Sequence, residues 1–155
     1  YHPEYKQEVI SPETAYLMVD MMRGVIRGGD GYNGTGVRLR NVYGIRQDIA
    51  GKTGTTQNSA DNWFIAMTPH LVMGSWVGGE DRRIRFPTDR AYSIGQGART
   101  ALPIVGTFIN FVTEDPLAYW SYDAFSPPAG FIMPEDPNEN RSEMAGDNNK
   151  GTIGW

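Results

Sequence analysis

Between residues 47 and 77 the chain crowds three strand signals into one short reach, and that density limits what it can build. Trp63-Phe64-Ile65-Ala66-Met67 and Leu71-Val72-Met73-Gly74-Ser75-Trp76-Val77 are apolar runs rich in residues that suit a pleated surface. Thr68-Pro69-His70 between them places proline where a tight turn wants it. The two runs therefore read as a hairpin. Just upstream, the threonine-bearing stretch from about Gln47 to Thr56 reads as a third strand, thinned by Gly51 and Gly54. Together they predict an antiparallel meander with strands near 47–56, 62–67 and 71–77.

Two amphipathic helices flank the meander. Ser11-Pro12-Glu13 carries a helix start: serine to cap the free backbone donors, proline pre-set for the first helical position, and glutamate at the positive end of the dipole. Ala15, Met18, Val19, Met22, Val25 and Ile26 recur at helical spacing, and Gly28-Gly29 ends the run, giving a helix near 12–27. Ala101, Ile104, Val105, Phe108, Ile109 and Val112 define a second helix near 98–113, with Pro103 in its first turn or at a kink and a stop at Asp115-Pro116. Residues 29–44 are glycine-rich and read as loop. From about residue 121 the chain turns to Pro, Asn, Asp and Glu without periodicity, so 121–155 reads as an irregular tail behind a body spanning 1–120.

The class is α+β, and it is not closed. Three strands under a helical layer leave at least one edge and one face wanting a neighbour, which calls for further sequence or a second chain pairing through the unpaired edge. Composition narrows the function. With 14 Lys and Arg scattered along the chain and a net charge of -4, nucleic acid is not the expected main partner. With no cysteine, disulfides and thiolate chemistry are excluded. No apolar run reaches the length of a membrane span, so direct insertion by this segment is not expected. Tyr1-His2-Pro3-Glu4 has no signal-peptide character, so an envelope address would lie outside this chain.

The chemistry turns on Lys52 in "DIAGKTGTTQN". A nucleotide-binding phosphate loop needs a glycine five residues before Gly51, where Arg46 stands, and a helix directly after the threonine. Gly54-Thr55-Thr56-Gln57-Asn58-Ser59 follows instead, and it is poor helix-forming sequence. The other reading is a Lys-Thr-Gly-Thr segment on a strand. Taken alone the tripeptide is weak, since a lysine between threonines also serves simply to blunt a sheet edge.

Its setting is specific. "ISPETAYLMVDMMRGVIRGGDGYNGTG", then "IAGKTGTTQNSADNWFIAMTPHLVMGSWVGGED", then "GQGARTALPIVGTFINFV" resembles the C-terminal part of the transpeptidase domain of bifunctional, class A penicillin-binding proteins. The likeness runs in order over roughly residues 9 to 113, and more loosely through Phe125-Ser126-Pro127-Pro128-Ala129-Gly130. It implies a partial transpeptidase/β-lactamase-like fold whose sheet is completed by two strands from the N-terminal side of the domain. It also implies a peptidoglycan D,D-transpeptidase, extracytoplasmic in the cell envelope and anchored in the inner membrane by its parent, acting on a D-Ala-D-Ala stem peptide and on β-lactams, with no cofactor and no metal. Lys52 would bring a positive charge beside the hydroxyl of an SxN element. Thr53 and Thr55 would bind the substrate carboxylate, with the Thr55 backbone N–H lending half of an oxyanion hole. Gly54 would keep the strand wall low for the substrate backbone.

The attacking half is missing from these residues. Serines stand at 11, 59, 75, 93, 121, 126 and 142, none with lysine three residues on and none with asparagine two residues on. His2 and His70 offer no substitute triad. The expectation is a fragment that binds and polarises but cannot attack, against a non-enzymatic module that pairs through its sheet edge. Elsewhere plain roles are expected: Asp61-Asn62-Trp63 as a polar turn and strand anchor, Glu80-Asp81 and Arg82-Arg83-Ile84-Arg85 as solvated surface, Gly95-Gln96-Gly97 as no dinucleotide loop, and Trp63, Trp76 and Met73 as sheet-helix core.

Overall fold

The computed structural model describes residues 8–28, 33–87 and 94–134. Its elements run α1 (Pro12–Arg27), α2 (Arg38–Asn41), β1 (Ala50–Thr55), β2 (Asp61–Met67), β3 (Val72–Gly78) and α3 (Ala101–Glu114), with a 3-10 turn at Gln57–Ser59. The three strands form one antiparallel sheet in the order β1-β2-β3, so β1 and β3 are its edges. The α+β meander read from the sequence is therefore the architecture observed.

α1 begins and ends where the signals put it. The Ser11 hydroxyl accepts the Thr14 N–H at 3.3 Å, Pro12 opens the helix, and Gly28 closes it at φ 65 with its N–H bonded to the Gly24 carbonyl. β1 is shorter than expected. Gln47, Asp48 and Ile49 stay out of the ladder, with Asp48 occupied by three donors from α1 and the tail. α3 starts at Ala101 because the residues before it form turns held by the Gln96 and Gly97 carbonyls. Pro103 falls in its first turn, where no helical hydrogen bond is lost. Of the expected glycine-rich loop, residues 29–32 lie outside the described residues, and 38–41 form the single turn α2, which seats a fully buried Leu39.

Strand parity decides what is inside. Phe64, Ala66, Met73 and Ser75 are buried on the face that α3 covers, where the Ser75 hydroxyl donates to the Ala101 carbonyl at 2.7 Å and fixes the start of the helix. Ile26 of α1 and Leu102, Val105 and Ile109 of α3 complete that core. Trp63 and Trp76 are opposite partners on the other face, and each keeps 45% of its surface exposed. The expectation that both belong to the sheet-helix core is corrected here, and only Met73 of the three does. The tryptophans pack on each other at 6.4 Å between ring centres, and the Trp76 indole donates to Asp61 at 3.2 Å.

The tail forms no helix or strand over residues 121–134, as expected, but it is tethered. The Phe125 N–H bonds Asp48 at 3.0 Å, Phe131 meets Tyr16 edge-on at 5.2 Å, and Asp123 bonds His70 at 2.7 Å. Residues 135–155 of the expected tail lie outside the described residues.

Candidate active site

β1 carries the Lys-Thr-Gly-Thr segment, and its alternation splits the four residues between two faces. Thr53 and Thr55 share the inner face. Beyond the end of the core they look into an open cavity of about 360 Å³, lined also by Thr35, Ser59 and the loop of residues 95–98. Lys52 and Gly54 belong to the opposite face. Lys52 is exposed, and its Nζ donates to the carbonyl of Thr53 at 2.8 Å, which holds the ammonium against the strand's own backbone. At Gly54 a Cβ would stand 3.1 Å from Cβ of Trp63, so glycine lets the edge strand lie close to the hairpin. The structure thus brings Thr53 and Thr55 together, and places Lys52 and Gly54 behind them on the same edge.

Three neighbours of this wall are not visible in the sequence. The Thr35 Oγ1 lies 2.8 Å from the Thr53 Oγ1. The Gly97 N–H donates to the Thr55 Oγ1 at 3.2 Å. Ser59 closes the cavity from the β1–β2 turn, where Asn58 and Ser59 both hold a left-handed backbone at φ 61 and 54. That turn is stitched by Asp61, whose N–H bonds the Thr56 hydroxyl and whose carbonyl accepts the Thr56 N–H, both at 2.9 Å. Gly97 reaches Thr55 because it has no side chain: a Cβ there would stand 2.5 Å from the Trp63 carbonyl oxygen and 2.7 Å from that of Gly54. Gly95-Gln96-Gly97, read as no dinucleotide loop, packs closely against β1 and β2 at Gly54, Thr55 and Trp63.

The approach to β1 is fixed by charge. Asp48 accepts Arg23 Nε at 2.8 Å and Arg27 Nη2 at 2.7 Å on one oxygen and the Phe125 N–H on the other. Burial alone would push its carboxyl up, but the Arg23 hydrogen bond, the Phe125 N–H, the Arg23 charge and the Arg27 hydrogen bond outweigh that and hold it below the usual carboxylate range. Burial likewise works against the Arg23 charge, and Asp48 and Tyr16 more than restore it. Lys52 stands four residues downstream of this clamp. The expected plain roles hold at the surface: Arg82 and Arg83 extend into solvent, and His70 is exposed in its turn. Among the described residues no group of three or more His, Asp or Glu could hold a metal ion, and no helix is long and apolar enough to cross a membrane.

An edge strand bearing Lys-Thr-Gly-Thr, backed by helices on one face and opening on a hydroxyl-lined cavity, is the arrangement expected of a penicillin-binding transpeptidase fold. The family model described as "Penicillin binding protein transpeptidase domain" matches residues 1–78, half of the 155-residue chain, and the chain belongs to that family. Among its relatives, penicillin-binding protein 1A of Vibrio cholerae is 35% identical over 125 residues, covering 72% of this chain and 15% of the relative. Penicillin-binding protein 1A of Pseudomonas aeruginosa is 30% identical over 149 residues, covering 94% of this chain and 16% of the relative. The crystal structure of penicillin-binding protein 1A from Haemophilus influenzae superposes with a TM-score of 0.62 at 31% identity, over 81% of this chain and 18% of that one. The resemblance read from the sequence is borne out, and the chain spans about a sixth of the length of these relatives.

Proposed function

We propose that this chain is the carboxylate-binding and oxyanion wall of a peptidoglycan D,D-transpeptidase, with the attacking serine, its lysine and the SxN element supplied by the rest of the polypeptide. The observation that carries the reading is the pair of hydroxyls at Thr53 and Thr55 on one face of an edge strand, turned into a cavity. A stem peptide ending in D-Ala-D-Ala, or a β-lactam in its place, lies along β1 as an added strand. Its carboxylate is bound by the two hydroxyls. The serine oxygen attacks the penultimate carbonyl, and the Thr55 backbone N–H receives the charge that develops on the carbonyl oxygen. The terminal D-Ala leaves with a proton, and an acceptor amine then displaces the serine. Lys52 leaves the Thr53 carbonyl to place its charge beside the SxN hydroxyl and the substrate carboxylate.

Residues 1–120 are assigned to the transpeptidase body and 121–155 to an extension of it. The location is extracytoplasmic, with the parent held at the inner membrane. A second reading, an edge-pairing module without catalysis, draws support from β3. There exposed Val72 and Leu71 join Ile104 and Phe108 of α3 around an apolar cavity of about 320 Å³. In the transpeptidase reading the remaining strands of the same domain cover that edge, so both readings use it, and only the enzyme needs Lys52.

The test is labelling by a fluorescent penicillin. This chain by itself stays unlabelled, the full-length protein that carries it is labelled, and Lys52→Ala in that protein slows labelling by about a hundredfold, the scale of losing one preorganised electrostatic contact, with an unchanged unfolding midpoint. Unimpaired labelling of the Lys52 variant, or labelling of the isolated chain, ends the proposal.

A further inference from the structure

Counting hydroxyl protons over the cavity points to a third residue. Thr35 and Thr53 face each other at 2.8 Å, so one of their two protons lies between the oxygens and the other is free. The Thr55 oxygen is occupied as an acceptor by the Gly97 N–H, which leaves its own proton to donate outward. Beside Ser59, the three threonines therefore present two free hydroxyl donors to the cavity, and among the described residues that line it there is no carboxylate. Two convergent donors suit the two oxygens of one carboxylate.

Thr35 is held in place. It stands between Gly34 and Gly36, and both glycines press on the last turn of α1. A Cβ at Gly34 would collide with the Val25 carbonyl, one at Gly36 would lie 2.5 Å from Ile26 Cδ1, and the Gly36 N–H bonds the Val25 carbonyl at 3.0 Å. The loop cannot withdraw without losing these contacts, so the hydroxyl is preorganised toward Thr53.

We propose that Thr35 is a binding residue for the substrate carboxylate, sharing that load with Thr53 and Thr55. The proposal rests on the acyl-transfer reading above. It assigns a function to a loop threonine eighteen residues away from Thr53, and it makes Thr35 and Thr53 a coupled pair, because the Thr53 hydroxyl donates to Thr35 and leaves only the Thr35 proton free until Thr35 is removed.

The experiment measures the second-order acylation rate of the full-length protein carrying Thr35→Val, Thr35→Ser or Thr53→Val, using a penicillin and its methyl ester, and a D-Ala-D-Ala peptide and its C-terminal amide. Thr35→Val is expected to slow acylation by the free acids by up to about tenfold, the scale of one hydrogen bond to a charged group, because the Thr53 proton it releases sits on the strand and not at the loop position that Thr35 held. Thr35→Ser restores the rate, and the ester and amide, already slow, change little. Equal losses on acid and ester, or a Thr35→Val protein as fast as wild type, overturn the proposal. So does an effect on the penicillin that is absent on the peptide. Thr53→Val separates the two levels: if it slows the acids while Thr35→Val does not, only the Thr35 assignment fails, and if it too leaves them unchanged, the strand reading fails. The serine variant keeps the outcome decisive where valine disturbs folding.

Discussion

The two ends of β1 are built in opposite ways. At its approach, the side chain of Asp48 is mostly covered and filled: two guanidinium groups and a backbone N–H occupy both oxygens, and its partner Arg23 is buried beside it. At its far end the hydroxyls of Thr53, Thr55 and Thr35 keep donors to spare, and Lys52 has nothing better to bind than its neighbour's carbonyl. A filled polar group rigidifies the fold around it and asks for no ligand. A group left with unspent donors beside a cavity is available to one. The same short strand thus has a clamped end and a receptive end, and the two should answer to different measurements.

The largest expected effect strikes the clamp. Asp48→Ala takes the Nε partner from buried Arg23, which keeps only its Nη1 bonds to Asp20 and Tyr16, and leaves the Phe125 N–H without its acceptor, a change that costs on the order of 1.5–3 kcal/mol. That lowers the unfolding midpoint, by less than the roughly 2–4 °C per kcal/mol of a domain of 150–250 residues, read by calorimetry on the full-length protein. The fraction that stays folded should still be acylated at close to the wild-type rate. A variant with a normal midpoint and a collapsed acylation rate would break the division, because Asp48 would then belong to the receptive end.

How far this division was legible in the sequence follows from the range of its contacts. α1 could be bounded to the residue because Ser11, Pro12 and Gly28 act on the backbone next to them. The strands were found but their faces were not: Trp63-Phe64-Ile65-Ala66-Met67 is apolar at every position, so nothing in it tells which parity meets the helices. Residue type then favoured Trp63 and Trp76 for the core, and register sent both outward while Phe64 went in. The Lys52–Thr55 wall was visible because its motif is contiguous. Thr35, Ser59 and Gly97 were not, because what makes them neighbours of the wall is a set of contacts closed only when α1 and the loop before α3 dock on the sheet. The clamp was hidden for the same reason, as it joins α1, the approach to β1 and the tail.

Acid sharpens the comparison, with a smaller effect. The Asp48 carboxyl is held below its ordinary value in the folded protein. Its contribution is therefore complete above the unfolded value, near pH 4, and disappears as the pH falls through the lower folded value. Unfolding midpoints of wild type and Asp48→Asn, taken from pH 6 down to pH 2, should differ by a constant amount above about pH 4 and converge below it. A gap that widens on acidification would mean that folding raises the affinity of the carboxyl for its proton instead of lowering it, and the ionic account of the approach to β1 would be wrong.

The smallest effect comes from the tightest ion pair. Arg83 Nη2 lies 2.6 Å from Asp81, closer than either arginine lies to Asp48, and the guanidinium holds the Asp81 carboxyl below its usual range. Yet the Arg83 side chain is 91% exposed and its partner is two residues away in the same turn, so water replaces the pair at almost no cost and no distant segment is tied down. Arg83→Ala should leave both the unfolding midpoint and the acylation rate at wild-type values. If short distance alone set the strength of these contacts, Arg83→Ala would destabilise the protein at least as much as Asp48→Ala. Measured side by side, the two variants decide whether burial or proximity makes one end of β1 a clamp, and the sequestered Arg23 beside Asp48 is the reason to expect burial.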